Sequence, residues 1–181
     1  IRVHQNLIAR PSLSEAEKTI ALLELGEDYM RAGLLDRAET LFTDLVAMDA
    51  LAPSALTHLV AIYQHERDWN KAIDNARKLE AATGESRGEI IAQFHCELAE
   101  QARSRAAWEQ ARESLDAALL AEHDCVRASM ILGHIESALG NLDAAIAAFE
   151  HVAERDVDYV PEILSPLLDC YARAQRMQRA E

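Results

Sequence analysis

A short apolar pattern that returns about every 34 residues constrains the fold of this chain more than any other feature. The first copy contains Leu25, Gly26, Tyr29, Ala38 and Phe42. Later copies lie 34, 39, 34 and 35 residues further along, and they begin at Leu59, Leu98, Leu132 and Leu167. Each copy covers two consecutive stretches with helical spacing, and small residues recur where the two helices would cross. The pattern therefore predicts helix pairs that stack into a superhelix.

The period and the alternation of small and large residues are typical of the tetratricopeptide repeat, a helix–turn–helix unit. We predict an all-α fold in which residues 1–181 form one tetratricopeptide-repeat superhelix, or α-solenoid, with about four full repeats and half a repeat at each end. The low content of glycine (6) and proline (4) agrees with this prediction. Because such arrays offer extended concave surfaces, we also predict a protein-binding function.

Local signals predict several helix boundaries. Ser14 and Glu17 match a capping box at the start of the first full pair. Asp36 is predicted to cap the second helix of that pair. Pro166 lies inside the last predicted helix, residues 159–174, so that this helix either bends at the proline or begins later.

Charge and cysteine content narrow the choice of partners and compartment. The net charge of −13, from 31 acidic and 18 basic side chains, argues against nucleic acids and anionic lipid surfaces as partners. No apolar run approaches the roughly 18–20 residues that cross a bilayer. The three cysteines, Cys96, Cys125 and Cys170, form no C-x-x-C pair. They are predicted to be free, mostly buried thiols in a reducing compartment.

The sequence contains no recognisable catalytic or metal-binding motif. Its seven histidines include no H-E-x-x-H motif and no tight cluster with carboxylates that repeats on one face. His95 and Cys96 are adjacent, but neighbouring helical residues point about 100° apart and are not expected to share an ion. His58 and His95 are predicted to pack between repeats. We therefore predict that the chain is not an enzyme and that these residues hold no cofactor and no metal.

The first helix of each pair is expected to line the concave face of the array. Counting from the first leucine of each copy selects thirteen residues as the predicted partner-binding groove. They are Glu27, Met30, Arg31, Gln64, His65, Gln93, Glu100, Arg103, Arg127, Met130, His134, Asp169 and Arg173. With Glu162, which is expected on the same face, four acidic side chains balance four arginines, so the acidic excess is expected on the convex face and the rims. A groove of mixed charge suits a folded protein or a helix as its partner.

Four stretches carry a resemblance that goes beyond the repeat consensus. They are residues 1–7 (IRVHQNL), 25–39 (LGEDYMRAGLLDRAE), 69–74 (WNKAID) and 91–99 (IAQFHCELA). Together with the long loop before the last stretch, they resemble the lipopolysaccharide assembly protein B family, also called YciM. The similarity covers nearly all 181 residues in register, which makes it more specific than a shared repeat pattern.

The resemblance implies a bacterial inner-membrane protein with one N-terminal transmembrane helix and a repeat array on the cytoplasmic face. It also implies a C-terminal rubredoxin-like domain whose two C-x-x-C pairs hold iron or zinc. Because residues 1–181 contain neither element, the chain is expected to be a fragment. In this family the protein acts as an adaptor that delivers the deacetylase LpxC to the membrane protease FtsH, which limits lipopolysaccharide synthesis.

Two other functions stay open on the sequence alone. The array could be a structural module that associates with itself as a homodimer and assembles envelope machinery. A weaker alternative is the repeat region of an N-acetylglucosaminyl transferase-like protein, a label that some family members have carried. No stretch of this sequence resembles a glycosyltransferase domain.

Overall fold

The computed structural model describes the backbone of residues 1–178 and the side chains of residues 1–175. Within this range the regular structure consists of ten α helices and one short 3-10 helix, without a strand. The α helices are α1 (Arg2–Ile8), α2 (Glu15–Arg31), α3 (Leu35–Ala47), α4 (Ala52–Glu66), α5 (Trp69–Thr83), α6 (Gly88–Ser104), α7 (Trp108–Ala121), α8 (Val126–Leu139), α9 (Leu142–Arg155) and α10 (Val160–Gln178). The 3-10 helix, Val157–Tyr159, directly precedes α10. The all-α prediction is confirmed.

The helices pack as the repeat pattern predicts, in four consecutive pairs: α2 with α3, α4 with α5, α6 with α7, and α8 with α9. Single helices, α1 and α10, supply the half repeats at the two ends. The chain divides into an N-terminal unit, Ile1–Arg87, and a C-terminal unit, Gly88–Glu181. The division falls after α5, at the loop that lengthens one repeat interval to 39 residues. That both units belong to one continuous superhelix stays a prediction.

The predicted helix boundaries are mostly correct. Ser14 Oγ accepts a hydrogen bond from the Glu17 backbone N–H (3.3 Å), and Glu17 Oε2 accepts one from the Ser14 N–H (2.9 Å), which confirms the capping box. The Asp36 cap is wrong, because α3 already begins at Leu35. Asp36 instead lies in the first turn, where its negative charge interacts favourably with the positive end of the helix dipole. The last helix begins at Val160 and continues through Pro166.

The two helices of a pair approach each other closely at small residues, as predicted. A Cβ atom added to Gly26 in α2 would lie 2.5 Å from Cε1 of Phe42 in α3. A Cβ atom added to Gly133 in α8 would lie 2.6 Å from Cε1 of Phe149 in α9. Both phenylalanine side chains are fully buried. A methyl group at either glycine would therefore have to displace an aromatic ring that has no free space to enter.

A second recurring contact ties each pair of the N-terminal unit to the helix before it. In the N-terminal unit, Gln5 Nε2 donates a hydrogen bond to the hydroxyl of Tyr29 (3.0 Å). One repeat later, the hydroxyl of Tyr63 donates to Oε1 of Glu39 (2.6 Å). Both pairs of residues are separated by 24 positions, so the same contact recurs at the same repeat position. The tyrosines therefore pack between repeats.

We expect the Gly133→Ala substitution to lower the free energy of unfolding by about 1–2 kcal/mol. Overpacking a well-filled core costs about 1–3 kcal/mol, and the better helix propensity of alanine offsets up to about 1 kcal/mol. Urea unfolding followed by circular dichroism measures the change.

The same substitution in a Phe149→Leu background is the matched control. The shorter side chain leaves room for the new methyl group, so that Gly133→Ala should cost little there. Equal costs in the two backgrounds would contradict the close contact between Gly133 and Phe149 as the cause.

Candidate protein-binding faces

The thirteen predicted groove residues lie on α2, α4, α6, α8 and α10, and none of them is buried. The half-buried ones are Glu27, Met30, Gln93, Glu100, Arg127, Met130 and Arg173. The exposed ones are Arg31, Gln64, His65, Arg103, His134 and Asp169. Within the C-terminal unit, α8 contacts both α6 and α10, so the first helices of successive repeats are neighbours. That a partner binds these residues stays a prediction.

In the N-terminal unit, the groove charges pair with one another. The Arg31 guanidinium lies 3.6 Å from Glu27 and 2.5 Å from Asp28, all on α2. Glu27 also reaches α4, where its Oε1 lies 3.2 Å from Nε2 of His58. The His58 ring stacks on Phe42 with 4.7 Å between ring centroids. His58 is therefore a packing residue between repeats, as predicted, and Glu27 links two first helices.

In the C-terminal unit, Arg127 links α8 to α6. Its Nη2 donates to Oε1 of Glu97 (2.7 Å) and its Nη1 donates to Oε1 of Gln93 (3.3 Å). Arg103 pairs with Glu100 on its own helix (2.7 Å). The oppositely charged side chains on these faces therefore form direct ion pairs.

Arg173 makes the corresponding link from α10 to α8. Its Nη2 donates to the backbone carbonyl of Ser137 (2.9 Å), and its Nη1 lies 3.0 Å from Ser137 Oγ. Nη1 also lies 3.4 Å from Oδ2 of Asp169. Because α10 and α8 belong to successive repeats, Arg173 fixes part of the predicted groove rather than projecting freely into solvent.

Two of the predicted groove residues take part in the core. Met130 packs against the buried cluster that includes Phe149 and Val152. The His134 ring meets the Phe149 ring edge to face, with 5.2 Å between centroids. A partner would therefore contact only the outer surface of these two side chains.

Glu136 on α8 is a buried carboxylate that sequence reasoning missed, with 5% of its surface exposed. It occupies the repeat position of Tyr63, 24 residues after its partner Arg112. Arg112 donates from Nε to Oε1 (2.5 Å) and from Nη2 to Oε2 (2.6 Å), and Asn141 donates to Oε2 (2.7 Å). These hydrogen bonds, that of Arg112 above all, lower the pKa of Glu136, although burial acts in the opposite direction.

The cysteines are free and buried, as predicted, but two of them are neighbours. The sulfur atoms of Cys96 and Cys125 lie 4.0 Å apart. The Cys96 thiol and the backbone N–H groups of Ala128 and Arg127, at the start of α8, lower the pKa of Cys125. The same contact with Cys125, together with burial, raises the pKa of Cys96. Their separation of 29 residues matches no motif, which is why the sequence did not reveal the pair.

One group of two histidines and a carboxylate was missed by the sequence reasoning. His123 and Asp124, in the loop between α7 and α8, lie beside His151 on α9. The two histidines are 28 residues apart in sequence, a spacing that no metal-site motif uses. That these residues hold no metal stays a prediction.

The fold and these faces define a class of protein. The tetratricopeptide repeat family model matches residues 23–86 and 96–161. The chain therefore belongs to the tetratricopeptide repeat family, whose members use their stacked helix pairs to bind other proteins.

Among characterised relatives, the chain is similar to lipopolysaccharide assembly protein B. It is 34% identical to the Haemophilus influenzae protein over 100% of this chain and 46% of that protein. It is also 34% identical to the Escherichia coli K12 protein, over 99% of this chain and 48% of that protein. The resemblance inferred from the sequence is confirmed. The chain spans about half the length of these relatives.

Solved structures agree with this fold. The crystal structure of MamA covers 90% of this chain and 85% of its own, with a TM-score of 0.54 and 18% identity. YrrB, described as a tetratricopeptide repeat protein with an unusual peptide-binding site, covers 89% and 80%, with a TM-score of 0.50 and 19% identity. At these identities the likeness shows the fold alone. Among residues 1–178, no helix combines the length and the apolar composition needed to span a membrane.

We expect the Glu136→Gln substitution to destabilise the protein by about 1–3 kcal/mol at pH 7, because it removes a charge-assisted hydrogen bond pair from a buried site. The lowered pKa of Glu136 means that its charge stabilises the fold above its unfolded-state pKa of about 4.3. This contribution disappears as the pH falls through the folded-state pKa. The difference between wild type and Glu136→Gln should therefore shrink below pH ~4, as measured by urea unfolding at several pH values.

Glu113→Gln is the matched control, since Glu113 is an exposed carboxylate on α7. This change should alter stability by less than about 0.5 kcal/mol. A pH-independent cost of Glu136→Gln would contradict the stabilising role of its ionised form.

Proposed function

We propose that the chain is a non-catalytic scaffold that binds proteins and takes part in lipopolysaccharide assembly. The observation that carries this proposal is the similarity to lipopolysaccharide assembly protein B, which extends over the whole chain. The tetratricopeptide repeats supply the means, because they present successive helix faces to a partner and require no reactive group.

In its specific form, the proposal is that these repeats hold the deacetylase LpxC beside the membrane protease FtsH. The mechanism is proximity: binding raises the local concentration of the client at the protease, and no bond is broken by this chain. The site of action is the cytoplasmic face of the bacterial inner membrane. Iron or zinc would be held by a rubredoxin-like domain outside residues 1–181, as in the family that the sequence resembles.

The proposed client-binding surface is the set of groove residues on α6 and α8 of the C-terminal unit. Arg103 and Arg127 are both accessible, and each is held by an acidic neighbour, Glu100 or Glu97. Exposed ion pairs contribute only about 0–1 kcal/mol, so an incoming acidic group can replace the internal partner at low cost. Charges arranged in this way favour the correct orientation of a folded partner.

The first experiment is a calorimetric titration of the 181-residue chain with purified LpxC at physiological salt. Wild type should bind. The double variant Arg103→Glu with Arg127→Glu should raise the Kd about tenfold or more, because it places repulsive charges where the client is proposed to dock. Circular dichroism should show unchanged helix content.

Arg77→Glu with Lys78→Glu is the matched control for net charge. Both residues are exposed on α5, a second helix of a pair, and the double variant changes the charge by the same amount. It should leave the Kd within about twofold of wild type. Equal losses in the two double variants would contradict the groove assignment, and a folded wild type that does not bind LpxC would contradict the client assignment.

A further inference from the structure

A small cluster of metal-ligating side chains lies in the C-terminal unit, apart from the contacts that hold the groove residues. His123 and Asp124 belong to the loop between α7 and α8, and His151 belongs to α9. Ligand atoms of the three side chains all lie within 4.8 Å of one another. The two imidazole rings meet edge to face with 5.3 Å between centroids. The fold therefore brings two imidazoles and one carboxylate close together.

The two ring nitrogens of His151 differ in their hydrogen bonding. Nδ1 lies 3.0 Å from the hydroxyl oxygen of Ser129, a residue that is 2% exposed. Nε2 is buried and has no hydrogen-bond partner. When Nδ1–H donates to the serine, Nε2 presents a lone pair. Metal-binding histidines are commonly held in this way, with the second ring nitrogen bonded to a fixed polar group.

Asp124 is also oriented by a neighbour. Its Oδ1 lies 3.1 Å from Nε of Arg155 on α9. A carboxylate has two oxygens, so that an ion pair through Oδ1 leaves Oδ2 as a possible ligand. Arg155 thus holds the Asp124 carboxylate beside α9, the helix that carries His151, as an outer partner does in many metal sites.

We propose that His123, Asp124 and His151 form a binding site for one divalent transition-metal ion, with Zn²⁺ the best match. Imidazole nitrogen suits Zn²⁺, and two histidines with one carboxylate leave a fourth, tetrahedral position for water. Ligand atoms around tetrahedral Zn²⁺ lie roughly 3.4 Å apart, given bonds of about 2.0–2.2 Å. His123 and Asp124 are exposed loop residues and can close the remaining distance by side-chain rotation.

Such an ion would join the loop between α7 and α8 to α9. This loop connects the α6–α7 pair to the α8–α9 pair, so the ion would fix that connection against the second pair. An ion that binds only the folded state stabilises that state. Once the ion is in excess, the stabilisation grows with the logarithm of the ratio of the ion concentration to the Kd. The proposed site is independent of client binding, because none of its three ligands is a groove residue.

The test is a titration of the 181-residue chain with Zn²⁺ under reducing conditions, followed by calorimetry and by thermal unfolding. Wild type should bind one equivalent and should unfold at a higher temperature when Zn²⁺ is present. His123→Ala removes an exposed ligand without disturbing the core, and it should weaken binding at least tenfold and abolish the thermal shift. Glu113→Ala, a change at an exposed carboxylate of α7 outside the cluster and outside the groove residues, should bind as wild type does.

Co²⁺ provides a spectroscopic check on the ligands. Nitrogen and oxygen ligands give the visible bands of four- or five-coordinate Co²⁺, whereas Cys125, next to Asp124, would add an intense thiolate-to-cobalt band. The proposal expects the visible bands without the thiolate band. It is overturned if wild type binds no Zn²⁺, if His123→Ala binds as tightly as wild type, or if the thiolate band appears.

Discussion

The close contact between a glycine of one helix and a phenylalanine of the next is the constraint on which the rest of this structure depends. At Gly26 and Gly133 the backbone lies against an aromatic ring, with no room for a methyl group. A side chain there would separate the two helices of a pair, and neighbouring pairs could no longer bury their shared apolar surface. The contacts that position charged groups between repeats, such as Glu27 with His58 of the next pair, require that spacing.

The contact between successive repeats shows how one structural role can be filled by different chemistry. In the N-terminal unit the hydroxyl of Tyr63 reaches the preceding helix, and in the C-terminal unit Glu136 reaches Arg112 from the same repeat position. The neutral donor satisfies one hydrogen bond, whereas the buried carboxylate needs several donors to offset its desolvation. Arg112 and Asn141 supply them. The C-terminal unit is therefore the one whose repeat stacking depends on the ionised state of a buried group.

The sequence predicted the features that recur with the repeat and missed those that occur once. The pairing of the helices and the burial of Ala38 follow from the repeat period, which can be read directly from the sequence. The hydrogen-bond partners of Arg127 could not be predicted, because they depend on how far each helix pair is shifted relative to the preceding helix pair. The same limit hid the cluster around His151, whose members come from a loop and from a helix 28 residues further along. The repeat period determines which residues occupy equivalent positions, whereas a contact that occurs once depends on the distances between neighbouring repeats.

The pairing of charges on the first helices also bears on how these faces would select a partner. Arg127 is already bonded to Glu97 and Gln93, and Arg173 is bonded to Ser137. A partner that offers only scattered negative charge gains little, since it replaces contacts that exist before binding. A folded partner gains more, because one rigid surface can meet several pre-oriented side chains together and can bury the apolar surface between them. Pre-paired charges therefore weaken non-specific association and leave shape as the main basis of recognition.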